Sequence, residues 1–348
     1  MKKLISGVRV ALCALCVAAP AYSFADDSPI QGNIRIVIGS SSTGGDTYQA
    51  TSLIADALSE KLEANFKVDA VGVSAAYRAL DRVRNGRTFM VFHDQSYLGN
   101  LYGQRGYDDI FEKYTVGQTF AINPGNAYLV SKDSPYQSMQ DVIDAAGHGE
   151  NIRVAIQPGG VSEIGYTAMK NAVRMQYPGQ ENNLQALNTG SQSSKNQAMF
   201  DGLADVINGS VQANEQYTRL PADDQKAMRF LWITAPAKTL EQANESGMGK
   251  TSRAQLLNYA EPNVNVAMSD QQNFSFDKEF FFIYNKQMDP KVVAAMDQAL
   301  SEIFADGQVQ EKMKQSFFIP NFRKAAESRE HLMQKRDQYR EIIDAIKQ

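Results

Sequence analysis

Short apolar runs alternate with amphipathic stretches along most of the chain. The runs at 34–38, 88–92 and 152–156 have the length of buried strands, whereas apolar residues between 50 and 62 recur at helical spacing. Further strands are predicted at 68–71, 128–131, 230–233 and 280–284, and further helices at 76–83, 139–146, 164–175, 291–303 and 329–346. This alternation predicts an α/β fold of mainly parallel sheets flanked by helices, with ligands bound beyond the carboxyl ends of strands.

The first 25 residues have the layout of a secretory signal peptide. Three basic residues, Lys2, Lys3 and Arg9, precede an apolar run at 10–19, and the small residues Ser23 and Ala25 precede a predicted cleavage after Ala25. The run is too short to span a bilayer, and no later stretch is long enough. We therefore expect a periplasmic protein whose mature chain does not insert into the membrane. Both cysteines, Cys13 and Cys16, lie in this leader, so no disulfide or thiol chemistry is expected after it.

The chain after the leader is large enough to form two lobes. We predict a first lobe at 26–125, a second lobe at 126–235, and a return to the first lobe with the C-terminal helices at 236–348. The formal net charge is −4, and it becomes −7 without the three basic residues of the leader. An acidic chain without basic runs is not expected to bind nucleic acid or an anionic membrane surface. Local dipoles in a pocket can still bind an anion.

The first candidate ligand site is a polar loop between the strand at 34–38 and the helix that follows it. Its hydroxyls, its flexible backbone and the free N–H groups of the helix start could hold an anion. Side chains at its end could instead only cap the helix. The candidate residues are Ser42, Thr43, Gly44, Gly45, Asp46 and Thr47.

A second polar loop follows the strand at 152–156 and also precedes a helix. Its candidate residues are Gly159, Gly160, Val161 and Ser162. A third polar turn, at 189–194, is weak evidence by itself. Because the first two loops fall in different halves of the chain, we expect them to form the facing walls of a cleft.

Several short motifs, taken in their order and spacing, resemble one receptor family. The segment 134–142 reads Ser-Pro-Tyr-Gln-Ser-Met-Gln-Asp-Val, 85–88 reads Asn-Gly-Arg-Thr, 202–206 reads Gly-Leu-Ala-Asp-Val, and 290–293 reads Pro-Lys-Val-Val. Together with the two loops, they make the chain resemble the extracytoplasmic solute receptors of tripartite tricarboxylate transporters, the Bug family. The resemblance covers essentially the whole chain after the leader.

This resemblance implies a two-lobed periplasmic binding protein of the type II-like class, which closes on a small organic carboxylate and delivers it to the membrane subunits of a transporter. Di- and tricarboxylates, acidic amino acids and aromatic acids all remain open as ligands. The loop residues named above are implied as ligand-binding residues, with Gly190, Ser191 and Asp205 at the margin of the cleft. No cofactor, metal or catalytic activity is implied, and a monomer is expected.

Departures from the family pattern leave some points open. Tyr48 stands where the family commonly has aspartate, and it could stack on an aromatic ligand or lie on the surface. His93 could border the cleft or be satisfied by its neighbour at the end of a strand. A receptor that docks on a sensor kinase would share the same cleft. An exported hydrolase would need a nucleophile elbow, but Ile164 stands where its closing glycine belongs.

Overall fold

The computed structural model describes residues 29–82 and 86–347. The predicted leader with its two cysteines, and Asn85 of the 85–88 motif, lie outside the described residues. The strands are β1 (Asn33–Ile38), β2 (Asn65–Ala70), β3 (Thr88–His93), β4 (Tyr114–Asn123), β5 (Ala127–Ser131), β6 (Ile152–Ile156), β7 (Leu184–Asn188), β8 (Val206–Gly209), β9 (Met228–Ile233), β10 (Ala267–Ser269), β11 (Gln272–Asn273), β12 (Lys278–Asn285) and β13 (Ile319–Arg323). The helices are α1 (Asp46–Leu62), α2 (Val73–Arg82), α3 (Gln95–Leu101), α4 (Ile110–Lys113), α5 (Met139–Gly147), α6 (Ile164–Gln176), α7 (Gln192–Phe200), α8 (Val211–Asn214), α9 (Ala237–Leu240), α10 (Arg253–Leu257), α11 (Pro290–Asp306), α12 (Gln308–Gln315) and α13 (Ala325–Lys347).

The first lobe is built on a six-stranded sheet of order β13-β4-β12-β3-β1-β2. Strands β2, β1 and β3 are parallel, as the strand–helix alternation predicts, but β12, β4 and β13 pair in antiparallel fashion. Alternate residues of β3 are buried on opposite faces: Phe89 and Val91 pack with α1 and α11, whereas Met90 and Phe92 pack with α2. A strand that is covered on both faces is expected to consist of consecutive apolar residues, and residues 89–92 of β3 are all apolar.

The second lobe is built on a five-stranded sheet of order β7-β6-β8-β5-β9. Strands β6, β7 and β8 are parallel, and β5 runs antiparallel to both of its neighbours. Its two faces are also both covered, because Leu129 and Ala155 join one apolar cluster while Tyr128 and Val154 join another. The two sheets with their helices confirm the predicted two-lobed α/β fold. The prediction of mainly parallel sheets is wrong, because three of the five strand pairings in the first sheet and two of the four in the second are antiparallel.

The chain changes lobe between β4 and β5 and returns just before β12. The predicted return at residue 236 differs from the structure, because the intervening segment packs on the second lobe, where Leu240 and Leu256 share a cluster with Leu129. The return therefore comes near Phe276. The apolar residues that follow β9 are therefore buried in the second lobe before the chain crosses back to the first.

The stretch in which the chain leaves the first lobe, around Gly125, lies against Thr234 and against Phe276, where the chain returns. Thr234 Oγ1 accepts a hydrogen bond from the Asn126 N–H at 2.8 Å and donates one to the Phe276 carbonyl at 2.9 Å. Gly125 has φ +65°, and a Cβ there would lie 2.4 Å from Thr234 Oγ1. Glycine is required because both the left-handed backbone and the close approach exclude a side chain.

The C-terminal helix α13 packs between the lobes. Leu332, Tyr339 and Ile343 are buried in the cluster that contains residues of both sheets. No helix within the described ranges is long and apolar enough to cross a membrane.

Candidate functional site

A cavity of about 530 Å³ lies between the lobes, at the edge where β1 and β6 end. The first lobe contributes to its lining Gly44, Gly45, Asp46, Gln49, Lys278, Ser316 and Phe317. The second lobe contributes Asn126, Gln157, Val161, Ser162, Gln192, Lys195, Gly209, Ser210, Gln212 and Ala213. The charged residues of this lining are Asp46, Lys195 and Lys278, and these three dominate the electrostatics of the cavity.

The first wall is the start of α1. Gly45 is the N-cap residue in an extended conformation, and in the described part of the chain no side chain accepts from the N–H groups of the first turn. Asp46 does not cap the helix. Its carboxylate accepts a hydrogen bond from Asn123 Nδ2 at 2.8 Å and pairs with Lys278. The uncapped N–H groups give this wall a partial positive charge.

Asp46 and Lys278 form a mostly buried ion pair beside these N–H groups. Burial opposes the charge of Asp46, but the field of Lys278 and His93 and the hydrogen bonds from Lys278 and Asn123 hold its pKa at about 2. The ammonium of Lys278 also lies 5.7 Å from the centre of the Phe280 ring. Asp46 is therefore ionised at neutral pH and offsets the charge of Lys278.

His93 lies behind this ion pair. Its side chain is 7% exposed, and burial, followed by the field of Lys278, lowers its pKa to about 3. Its Nδ1 accepts a hydrogen bond from the Gln95 N–H at 3.2 Å. The imidazole is therefore neutral, and His93 does not appear among the described residues that line the cavity.

The second wall carries Lys195, which is 2% exposed. Its Nζ donates to Asn208 Oδ1 at 3.0 Å and to Ser162 Oγ at 3.3 Å. Burial, with a further contribution from Lys278, lowers its pKa to about 7. Within residues 29–82 and 86–347, no carboxylate forms an ion pair with Lys195.

A buried polar network holds Lys195 in place. Ser162 Oγ donates to Asn208 Oδ1 at 2.8 Å and accepts from the Gln157 N–H at 2.9 Å. Asn208 Nδ2 donates to the Ser162 carbonyl at 2.8 Å and to Tyr128 Oη at 3.3 Å. Every named polar atom has a partner, so the network is rigid and fixes the position of the amine.

The two glycines of the second loop face the first lobe. A Cβ on Gly160 would lie 1.8 Å from Gln95 Oε1, and a Cβ on Gly159 would lie 2.2 Å from Gln104 Cγ. Both residues are buried by these contacts. The loop needs glycine because side chains of the other lobe lie against its backbone.

The other predicted site residues lie around the cavity rather than in its lining. In the first loop, Ser42 and Thr43 are exposed, Thr47 is buried beneath the helix start, and Tyr48 packs against the apolar cluster of the first lobe. Tyr48 shares this cluster with aliphatic and aromatic side chains of β1 and β3, so its ring is held by the core.

The remaining predicted residues belong to the second lobe. The Gly190 carbonyl accepts from Gln157 Nε2 at 2.9 Å, and Ser191 caps α7. Asp205 lies at the other end of the sheet, where its carboxylate accepts two hydrogen bonds from the Arg153 guanidinium at 2.6 and 2.9 Å. Asp205 is therefore a structural partner of the start of β6, distant from the strand ends that border the cavity.

The sequence analysis missed the two lysines of the cavity. Lys195, Ala198 and Met199 follow helical spacing, and all three are buried. Lys195 could have been identified from its position, because a lysine is unusual on the buried face of a helix that follows a polar loop. Lys278 gave a weaker signal, because it stands at the edge of the apolar strand β12. Among the described residues, no group of three metal-binding side chains lies together.

No protein-family model and no curated protein matches this sequence. Solved structures do match the fold. A TctC solute-binding protein from Polaromonas is 14% identical with a TM-score of 0.61, and the match covers 90% of this chain and 98% of that one. The chain has the fold of solute-binding proteins of this type.

Two further structures of this fold contain bound acids. MatC from Rhodopseudomonas palustris with bound malate is 13% identical with a TM-score of 0.61, over 90% of this chain and 99% of that one. A second R. palustris protein, with adipate, is 15% identical with a TM-score of 0.66, over 90% of this chain and 96% of that one. The likeness in fold thus extends over 90% of this chain in each of these matches.

Proposed function

We propose that this protein is a periplasmic receptor that binds a small organic carboxylate between its lobes and delivers it to the membrane subunits of a tripartite tricarboxylate-type transporter. The observation that carries the proposal is the charge balance of the cavity. Two lysines and the uncapped start of α1 face it, against the single carboxylate of Asp46. A cavity lined by more basic than acidic groups, with helix N–H groups directed at it, favours an anionic ligand.

The size and polarity of the cavity also support a small polar ligand. Pockets for small molecules have volumes of roughly 300–1,000 Å³, and this one has about 530 Å³. Amide and hydroxyl groups from both lobes can donate to carboxylate oxygens. Proteins of the same fold are solved with malate and adipate, so both acids are suitable test ligands.

Within this proposal, Gly44, Gly45, Val161 and Ser162 contact the ligand, as the sequence analysis expected of them. The predicted leader directs the chain to the periplasm and is cut near Ala25. The receptor acts as a monomer, and it returns its ligand chemically unchanged. Closure of the two lobes around the acid gives the transporter a ligand-dependent shape to recognise.

A thermal-shift screen tests the proposal. The panel contains acetate, malonate, malate, succinate, glutarate, adipate, citrate, glutamate and benzoate, with succinamide and adipamide as neutral controls. We expect at least one acid to raise the melting temperature in proportion to the logarithm of its concentration, because a ligand that binds only the native state stabilises it. Stabilisation by neutral compounds alone, or by none of the panel, would contradict the carboxylate assignment.

A further inference from the structure

Lys195 is a buried cation whose hydrogen-bonding capacity is incompletely used. A protonated lysine has three N–H donors. Two of them are directed to Asn208 Oδ1 and Ser162 Oγ. No third acceptor for this amine occurs among the described residues, and the side chain lines the cavity. A protonated Lys195 therefore has one N–H available to a molecule in the cavity.

Few other charges act on this amine. The strands that pack against its helix are β5, β6 and β8, and the only charged side chain on them is Arg153, which is bound to Asp205. Across the cavity, the charged lining residues within the described chain are Lys278 and Asp46, which are paired with each other. Lys195 therefore lacks the counter-ion that buried lysines ordinarily have.

We propose that Lys195 binds an acid group of the ligand, and that the receptor takes up a proton at this amine when the acid binds near neutral pH. The inference rests on the proposed carboxylate-binding function and adds to it the residue that selects acids over their neutral analogues. The ligand class is an organic anion with a carboxylate that can reach the wall formed by α7 and the second loop.

Proton uptake follows from the environment of the amine. Burial lowers the pKa of Lys195 to about 7, so a large part of the free receptor carries a neutral amine at pH 7.5. A carboxylate within hydrogen-bond distance favours the charged form and raises this pKa. The carboxylate then has the third N–H as its donor, and the proton that completes the ammonium comes from the solvent.

Calorimetry with the most stabilising acid of the panel tests this inference. Titrations at pH 8 in triethanolamine and in Tris, two non-anionic buffers whose ionisation enthalpies differ, give the number of protons taken up on binding. We expect close to one proton for the wild-type protein and close to none for Lys195→Met. We also expect the wild-type affinity to fall by up to about tenfold per pH unit above 7.

The variants separate a binding role from a structural one. Lys195→Met should weaken acid binding by roughly 10- to 100-fold, which corresponds to the loss of one charge-assisted hydrogen bond. The ligand-free variant should gain thermal stability at pH 6, because an unpaired buried charge is removed. The exposed Lys67→Met is the matched control and should bind like the wild type. Asp277→Asn removes a second group that titrates near pH 7 outside the cavity.

Two results would overturn the inference while leaving the proposed function intact. One is an acid that binds Lys195→Met within about twofold of the wild-type affinity. The other is binding by the wild type with no proton uptake and no loss of affinity between pH 6.5 and 8.5. If none of the acids binds the wild type, the proposed function fails, and the inference fails with it.

Discussion

Gln95 Oε1 lies 3.0 Å from the backbone nitrogen of Val161, so a side chain of the first lobe accepts a hydrogen bond from the second loop. The same amide donates through Nε2 to the Gly159 carbonyl at 2.8 Å. One carboxamide thus satisfies two backbone groups of the opposite lobe. This contact joins the two lobes on one side of the cavity.

Gly160→Ala should weaken closure without disrupting either lobe. The new Cβ would occupy the position of Gln95 Oε1, and the flexible glutamine side chain can move away. Loss of two hydrogen bonds at about 0.5–1.5 kcal/mol each should lower ligand affinity by roughly tenfold. Small-angle scattering should show a larger radius of gyration for the ligand-free variant.

A double-mutant cycle provides the control for this prediction. Gln95→Ala should weaken binding to a similar extent, and adding Gly160→Ala to it should have little further effect, because both changes remove the same contact. Fully additive losses would mean that Gly160 acts in some way other than through Gln95.

Asp46→Asn should increase the affinity for acids. The carboxylate lines the cavity and offsets the charge of Lys278, so neutralising it leaves an unopposed cation beside the uncapped start of α1. We expect an increase of about three- to tenfold, measured by calorimetry at pH 7, where Asp46 is ionised. Lys278→Met should have the opposite effect, because it leaves an unpaired anion near the ligand. Equal affinities in the two variants would exclude an electrostatic role for this pair.

Asp277 should make the stability of the ligand-free protein fall as the pH rises from about 4 to 7. Burial, together with Glu279 and Asp94, outweighs Lys335 and Thr239 and raises the pKa of Asp277 from 3.8 to about 7. The folded state therefore binds more protons than the unfolded chain in this window, and the stability from this residue is lost as pH rises through it.

Asp277→Asn measures that contribution. The variant should gain stability relative to the wild type between pH 5 and pH 7.5, by about 1 kcal/mol or more, in urea unfolding experiments. The neighbouring Glu279 does not contribute to the pH dependence in this window. Lys335, His331 and Arg323 hold its pKa below its usual range, so its effect on stability lies at lower pH. Parallel pH profiles for the two proteins would contradict the prediction.

Gly45→Val should abolish acid binding and leave the fold intact. Gly45 has φ −84° and an extended backbone that valine adopts readily, and a Cβ there meets only Ser42 at 3.8 Å. The isopropyl group would occupy the wall of the cavity beside the helix N–H groups. Gly45→Ala should give an intermediate loss. Unchanged affinity in the valine variant, by calorimetry, would remove the start of α1 from the site.

Local patterns in the sequence predict much of the fold. The apolar runs of β1, β3 and β6 and the periodic helices lie within a few residues of their predicted positions. Strand β4 was missed because Gln118, Thr119 and Asn123 interrupt its apolar pattern. All three residues are fully buried. The side-chain amides of Gln118 and Asn123 bond to distant residues, as when Gln118 Nε2 donates to Asp297 at 2.7 Å. A buried polar strand is recognisable only when its partners are known.

The site was only partly accessible to sequence reasoning. The loops mark where strands end and helices begin, and in this way Gly45 and Ser162 could be placed beside the cavity. The role of Gly160 depends on Gln95, which is 65 residues earlier, and the burial of Lys195 depends on how α7 packs on β8. Charge burial is a tertiary property, so composition and spacing do not reveal it.

A crystal structure of the protein with the most stabilising acid tests the central claim most directly. We predict the acid between the lobes, with one carboxylate oxygen about 2.8 Å from Lys195 Nζ, the usual length of a charge-assisted hydrogen bond. An acid bound outside this cavity, or within it but with its carboxylate directed away from both Lys195 and the start of α1, would contradict the account.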